Sequence, residues 1–130
     1  MENLISIKNL SVGFQSQNKK TNVVHSISFD IPKGKTIALV GESGSGKTVT
    51  ALSILKLLPY PAAFHSSGEI IYNKKNLLNM SDKNIQKIRG KNITTIFQEP
   101  MSSLNPLHTI EKQINEILIT HSKISYTDAT

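Results

Sequence analysis

The sequence predicts an α/β fold organised around a glycine-rich loop, and three observations carry that expectation. Positions 41–48 read Gly41-Glu42-Ser43-Gly44-Ser45-Gly46-Lys47-Thr48, the spacing G-x-x-x-x-G-K-[ST]. An apolar run, Thr36–Val40, precedes the glycines and a helical run, Val49–Leu58, follows them, so the spacing sits in a strand–loop–helix context. Upstream segments alternate with a period of two and a downstream segment repeats at helical spacing, the mixture of periods expected of packed strands and helices.

The elements follow in order. Leu4–Leu10 carries Ile5 and Ile7 in alternation and is predicted to be a strand. Gln15–Asn22 is polar and is expected as a hairpin loop. Val23–Ile31 places His25, Ile27, Phe29 and Ile31 on one face and Val24, Ser26 and Ser28 on the other, as a half-buried antiparallel strand would. Pro32-Lys33-Gly34 suits a tight turn with proline second and glycine fourth. Thr36–Val40 is continuously apolar, as a central strand covered on both faces would be. The helix after the loop must stop before Pro59-Tyr60-Pro61. Ser66-Ser67-Gly68 is expected as a turn, Glu69–Tyr72 as a short strand, and Asn73-Lys74-Lys75-Asn76 as another turn. Ser81 is placed to cap a helix over Asp82–Ile88 that Gly90 ends. Ile93–Phe97 is β-rich. Thr109 is a candidate cap for a last helix with Ile110, Ile114, Ile117 and Leu118 on one stripe, and Ser122–Thr130 is expected as a linker and the opening of a further helix.

The loop's chemistry follows from its residues. Gly41, Gly44 and Gly46 have no Cβ, so the chain can take positive φ and turn successive N–H groups inward. The helix that begins near Gly46 adds unpaired first-turn amides and the positive end of its dipole. Lys47 brings a full positive charge to the β and γ phosphates of a nucleotide, and Thr48 offers a hydroxyl to a magnesium ion bridging them. A chance match to this spacing is expected roughly once in a few hundred chains of this size, given average glycine usage.

Composition bounds the alternatives. The chain has 130 residues, suited to one domain, and 38% hydrophobic residues, enough for a core. It has no cysteine, which excludes disulfides and thiolate metal sites. No run of about 18 apolar residues occurs, so no membrane span is expected. The start, Met1-Glu2-Asn3-Leu4-Ile5-Ser6, lacks a basic region followed by an apolar one, so no signal peptide is expected. Net charge is +6, yet only Arg89 among the 15 basic residues is an arginine and the lysines are scattered. Bidentate readout of bases and phosphates favours arginine, so nucleic acid is not an expected partner. The Asn-Lys-x-Asp guanine reader of GTPases is missing, and about 40 residues precede the loop, unlike nucleoside kinases, which usually carry it at the extreme N-terminus.

Beyond the loop, the chain resembles the N-terminal half of an ATP-binding-cassette (ABC) ATPase, most of all the ATPase subunits of bacterial dipeptide, oligopeptide and nickel importers. Val40–Thr48 carries the Glu-Ser-Gly-Ser-Gly version of the loop, Ile85–Ile93 leads onward, and Ile96-Phe97-Gln98-Glu99-Pro100-Met101-Ser102-Ser103-Leu104-Asn105-Pro106 is very characteristic of that group. The resemblance covers roughly residues 3–121. It implies an antiparallel hairpin plus a mixed central sheet with flanking helices, incomplete, with 1–104 as β-subdomain and loop core and 105–130 as the start of a helical subdomain. It implies ATP and Mg2+ as cofactors, held by Gly41, Glu42, Ser43, Gly44, Ser45, Gly46, Lys47 and Thr48. Gln98 is implied as the catalytic glutamine that reaches the metal and the attacking water, with Thr48 also on the metal and Phe14 stacked on adenine. The histidines His25, His65, His108 and His121 match no catalytic histidine of the family. Implied partners are membrane permease subunits, a second ATPase subunit and, indirectly, an extracytoplasmic substrate-binding protein. The implied location is peripheral, at the cytoplasmic face of the membrane.

The resemblance also implies parts that this sequence lacks. No Leu-Ser-Gly-Gly-Gln signature occurs, no apolar strand ends in Asp-Glu, and Glu42, Glu69, Glu99 and Glu111 do not end such a strand. No switch histidine follows one. The expectation is a truncated subunit, whose Thr36–Val40 strand has an open side. Two functions remain open: part of a transport ATPase, or a nucleotide-binding module without turnover.

Overall fold

Two pairs of residues with positive φ shape the first part of the chain. Gln17 and Asn18 hold φ of 45° and 67°, and Asn73 and Lys74 hold 48° and 63°. That is the pairing a two-residue type I′ hairpin requires, and asparagine tolerates it best among residues with a Cβ. The computed structural model describes residues 1–129. Strand β1 (Asn3–Ser16) turns through Gln17-Asn18 into β2 (Lys19–Pro32), and β3 (Ala63–Tyr72) turns through Asn73-Lys74 into β4 (Lys75–Asn76). The four strands form one antiparallel sheet in the order β2-β1-β3-β4. The first hairpin is tighter than the sequence suggested: Ser16 pairs with Lys19, so most of Gln15–Asn22 is strand.

Bulges decide which side chains face inward. The register slips between Ile7 and Leu10, where Asn9 has φ 48°, and on β2 at Ser26, also φ 48°. A bulge adds one residue, and with a side-chain period of two it moves every later residue to the opposite face. Ile5 and Ile7 are buried before the bulge, and Leu10 and Val12 after it. On β2 the same slip brings Val24 inward and leaves His25 exposed, reversing the expected faces before the bulge, while Ile27, Phe29 and Ile31 keep the less exposed face expected of them. The bulge is pinned by the Asn9 amide donating to Ser28 Oγ at 2.8 Å, the Ser26 amide donating to Ser11 Oγ at 2.9 Å, and Ser67 Oγ donating to the Asn9 carbonyl at 3.1 Å. Opposite it, Gly68 has φ +104°, and a Cβ there would lie 2.5 Å from Leu10 Cα. Ser66-Ser67-Gly68 is therefore a bulge within one continuous strand, not a turn.

Pro32–Lys35 forms the turn after β2, closed by the Lys35 amide on the Pro32 carbonyl at 3.3 Å. Gly34, at φ 71°, occupies its third position rather than the fourth, as a type II turn prefers. Helix α1 (Lys47–Ile54) ends four residues before the expected Leu58. Lys56 enters the left-handed region at φ 53°, its amide bonds the Ser53 carbonyl at 3.1 Å, and the Leu57 amide bonds the Leu52 carbonyl at 2.9 Å. These are the two bonds of a Schellman stop. Leu55 and Leu58 beyond it, Leu77 of a 3₁₀ turn (Leu77–Asn79) and Ile85 of α2 (Asp82–Ile88) are buried with the strand residues Ile70 and Tyr72. Asn76 Oδ1 accepts from the amides of Ile70 and Leu78 and fixes the turn after β4, and the Asn84 amide donates to Ser81 Oγ at 3.3 Å, the cap expected of Ser81.

Two expected strands do not form. Thr36–Val40 pairs with no strand among the described residues, and Val40 is 89% exposed. Ile93–Phe97 makes one isolated bridge, Arg89 with Ile93, and Ile96 is 95% exposed. Both runs have the composition of covered parallel strands, but a backbone without a neighbour cannot build a ladder. The mixed central sheet is thus not present among the described residues, and the sheet that forms is antiparallel.

The chain divides into two compact units, Met1–Ile85 and the residues from Gln86 onward. The second holds a 3₁₀ turn (Pro100–Ser103), α3 (Ile110–Ser122) and α4 (Tyr126–Ala129). Thr109 caps α3 through the Lys112 amide at 3.1 Å, as its sequence position suggests. The apolar stripe of α3 is exposed at Ile110, Ile114 and Ile117, while Asn115 is buried. Thr130, the end of the expected linker, lies outside the described residues.

Gly68→Ala is expected to destabilise the chain by about 2–3 kcal/mol, because a Cβ meets backbone and φ is unfavourable. Glu69→Ala, exposed on the same strand, is expected to stay within about 0.5 kcal/mol. Urea midpoints of the two variants and the parent check this.

Candidate functional site

The glycine loop is built from unit-one residues alone. After the irregular run Thr36–Val40, the chain turns at Ser43-Gly44, bends at Ser45-Gly46 and enters α1 at Lys47. Gly44 and Gly46 hold φ of 81° and 89°. Gly46 is the N-cap of α1, and no side chain caps that end, so the first-turn amides are open to an anion. Gly46 also lies against β2: a Cβ there would meet Val24 Cγ2 at 3.0 Å and the Val23 carbonyl at 3.2 Å. Packing on the sheet therefore fixes where the helix starts.

The Lys47 ammonium folds back over the loop. It donates to the carbonyls of Gly41 and Glu42, each at 2.7 Å, and to Ser45 Oγ at 3.0 Å. Within α1, Thr50 Oγ1 and Ser53 Oγ return to the Gly46 and Val49 carbonyls at 2.8 and 2.7 Å, satisfying two buried hydroxyls. Beside the loop lies a cleft of about 390 Å³ that shares Ser45, Gly46, Lys47 and Thr50 with it. Its other walls are largely apolar, including Val23, Val24, Ile27, Phe29, Leu39 and Val40. Such walls suit packed side chains and not phosphate, so what the cleft offers an anion lies in its polar rim at the loop.

The predicted site residues fall into three places. Gly41 to Thr48 are contiguous, with Glu42, Ser43 and Thr48 exposed at the loop and the first helical turn. Phe14 stands near the tip of the first hairpin, opposite Thr21 on one side and Ala63 on the other, partly exposed, and is not among the residues lining the cleft. Gln98 lies exposed in the second unit, in the irregular segment before the 3₁₀ turn. Sequence reasoning missed Gln113. From α3 its amide accepts from the Asn105 N–H at 3.0 Å and donates to the carbonyls of Asn105 and His108 at 3.2 and 3.0 Å, pinning the segment that follows the 3₁₀ turn. A glutamine one turn after a helix cap is the signal that could have found it.

A second cleft, about 570 Å³, lies between the end of α1 and β3 and is lined by Lys56, Tyr60, His65 and Asp82 among others. His65 Nε2 is hydrogen-bonded to the Tyr60 hydroxyl, while its Nδ1 is buried without a partner among the described residues. Burial, with the nearby Lys56 charge, holds the imidazole below its ordinary value of 6.5.

A glycine loop feeding a lysine-headed helix, packed on a hairpin-built sheet, defines a P-loop protein. The chain belongs to the ABC transporter family, whose profile matches residues 24–129. It is 54% identical over 126 residues to the peptidoglycan transport ATP-binding protein YejF of Agrobacterium fabrum, covering 97% of this chain and 23% of that protein. It is 44% identical over 122 residues to the oligopeptide transport ATP-binding protein OppD of Bacillus subtilis, covering 94% and 34%. With the dipeptide transport ATP-binding protein DppD of the same organism it shares 45% over 125 residues, covering 96% and 37%. The chain thus spans about a quarter to a little over a third of the curated relatives it matches. Among solved structures, the dimeric ATP-binding cassette MJ0796 bound to ADP and Pi superposes with a TM-score of 0.75 at 21% identity, covering 96% of this chain and 52% of that one, and shares its fold.

Gly46→Ala is expected to cost about 1–3 kcal/mol more than the φ penalty alone, because its Cβ meets β2. Gly44→Ala has a similar φ but open space around it, so its urea midpoint is expected to fall less. For His65, a folded value below 6.5 means that the unfolded chain takes up the proton first as pH falls. Stability is therefore expected to be full above pH 6.5 and to decline below it. His65→Gln is expected to lose less stability than the parent between pH 7.5 and 5.5, read from denaturation midpoints at the two values.

Proposed function

We propose that this chain is the nucleotide-binding portion of an ATP-binding subunit of an ABC importer for peptides. The observation that carries the proposal is the loop itself: open first-turn amides at Gly46–Thr48, two glycines at positive φ, and an ammonium held at the loop mouth. These groups suit a polyphosphate: the amides and the helix dipole meet phosphate oxygens, and Lys47 supplies the full charge. The names of the matched relatives, which describe oligopeptide and dipeptide transport, support the peptide-transport part of this reading.

In this proposal Gly41, Glu42, Ser43, Gly44, Ser45 and Gly46 cradle the phosphates through backbone N–H groups, and Thr48 offers its hydroxyl to Mg2+. The metal, when bound, neutralises charge between the β and γ phosphates. Gln98 offers an amide oxygen to the metal and orients water, and Phe14 stacks on the adenine. Residues 105–130 begin a helical subdomain. Membrane permease subunits, a second ATPase subunit and, indirectly, a substrate-binding protein are the partners, with the subunit peripheral to the cytoplasmic face. Among the described residues no helix is long and apolar enough to cross a membrane.

Hydrolysis is assigned to the complete ATPase. The family resemblance implies a carboxylate that polarises the attacking water, and this sequence has no Asp-Glu ending an apolar strand. The chain itself is proposed to bind nucleotide with turnover at background.

Lys47→Ala is expected to reduce affinity for Mg-ATP at least tenfold, about the loss of one charge-assisted contact. A fluorescent ATP analogue titrated against parent and variant checks it, and equal affinities would overturn the loop assignment.

A further inference from the structure

The Lys47 ammonium has three N–H bonds, and each has an acceptor in this chain: the Gly41 carbonyl at 2.7 Å, the Glu42 carbonyl at 2.7 Å and Ser45 Oγ at 3.0 Å. A phosphate oxygen can hydrogen-bond that ammonium only where one of the three lets go. The three are not equivalent. The carbonyls make the shorter bonds and belong to backbone, so releasing either moves the loop. The hydroxyl makes the longest bond and turns about a single χ1 torsion. The Ser45 backbone is tied separately, its amide donating to the Glu42 carbonyl at 3.2 Å, so the side chain can rotate while the loop stays in place. Gly41 provides the room: a Cβ there would lie 2.7 Å from Ser45 Oγ.

We propose that the Ser45 hydroxyl is a latch that positions the Lys47 ammonium in the nucleotide-free loop and gives up its place to a phosphate oxygen. This rests on the reading that the loop binds nucleotide, and it assigns Ser45 a role beyond its backbone N–H. Ser45 acts through Lys47. It narrows the ammonium's freedom before the ligand arrives, and its bond is the one exchanged. Two consequences follow. Removing the hydroxyl leaves one N–H of the ammonium to water, so the side chain leaves the loop more often and meets reagent more readily. It also removes an intramolecular competitor for phosphate.

The test uses the 130-residue chain and its Ser45→Ala, Ser45→Thr and Lys47→Ala variants. In the first arm, without nucleotide, Lys47 acetylation by acetic anhydride is followed by peptide mass spectrometry. Ser45→Ala is expected to label roughly two- to threefold faster, the scale of one modest hydrogen bond, and Ser45→Thr, which keeps the hydroxyl, at the parent rate. In the second arm, Mg-ATP and inorganic tripolyphosphate are titrated. Ser45→Ala is expected to bind roughly threefold tighter, Ser45→Thr like the parent, and Lys47→Ala weakly. Identical labelling of parent and Ser45→Ala would overturn the latch. So would a loss of affinity in Ser45→Ala as large as in Lys47→Ala, since the hydroxyl would then be a retained phosphate ligand. If Ser45→Ala labels faster yet no form binds polyphosphate, the positioning role stands and the nucleotide reading falls.

Discussion

The close approach of Gly46 to β2 ties the candidate site to the part of the chain that folds as a sheet. The bulge at Ser26 turns Val24 inward, and Val24 and the Val23 carbonyl leave no room for a Cβ on Gly46. The chain must therefore leave the loop here in a left-handed conformation, and α1 must begin with the next residue. That residue is Lys47, and its first turn sets its ammonium over the Gly41 and Glu42 carbonyls. A geometric accident of strand register thus reaches the site through one contact.

The energetics are uneven along the chain. A fully buried aliphatic side chain contributes about 1.5–3 kcal/mol, and the sheet of unit one buries a continuous set of them, Ile5, Ile7, Leu10, Val12, Val24 and Ile70. Thr36–Val40 and Ile93–Phe97 have the composition for the same gain and realise little of it, because no neighbouring strand covers them among the described residues. With whole domains stable by only about 5–15 kcal/mol, two such runs left open are a large fraction of the balance. The apolar walls of the cleft beside the loop, Leu39 and Val40 included, are the same deficit seen from the site. The loop is therefore supported from the β2 side and left without ladder partners on the side of the run that enters it.

Legibility in the sequence followed the range of the interaction. The glycine loop, the start of α1, the Ser81 and Thr109 caps and the end of α2 at Gly90 were all readable, because each depends on residues a few positions apart. On β2 the faces of Ile27, Phe29 and Ile31 were readable, but Val24 and His25 were misassigned because the bulge at Ser26 breaks the alternation, and a bulge depends on its partner strand and leaves no period of its own. Gly68 looked like a turn residue for the same reason: a glycine at φ +104° is chosen by the Leu10 backbone 58 positions away in the case of its neighbour Ser67 and Asn9. The early stop of α1 hid in Lys56, a residue type that rarely takes the left-handed cap.

The sequence by itself determined the loop and the family, since G-x-x-x-x-G-K-[ST] specifies a local backbone and its charge whatever surrounds it and the run Ile96–Pro106 adds the family's own pattern. Only the tertiary structure decided which apolar runs become strands, which face of β2 is inside, and that Lys47 closes on Ser45. Those depend on what lies beside a segment in space, and a one-dimensional pattern of apolar residues records the capacity to be covered without recording the cover.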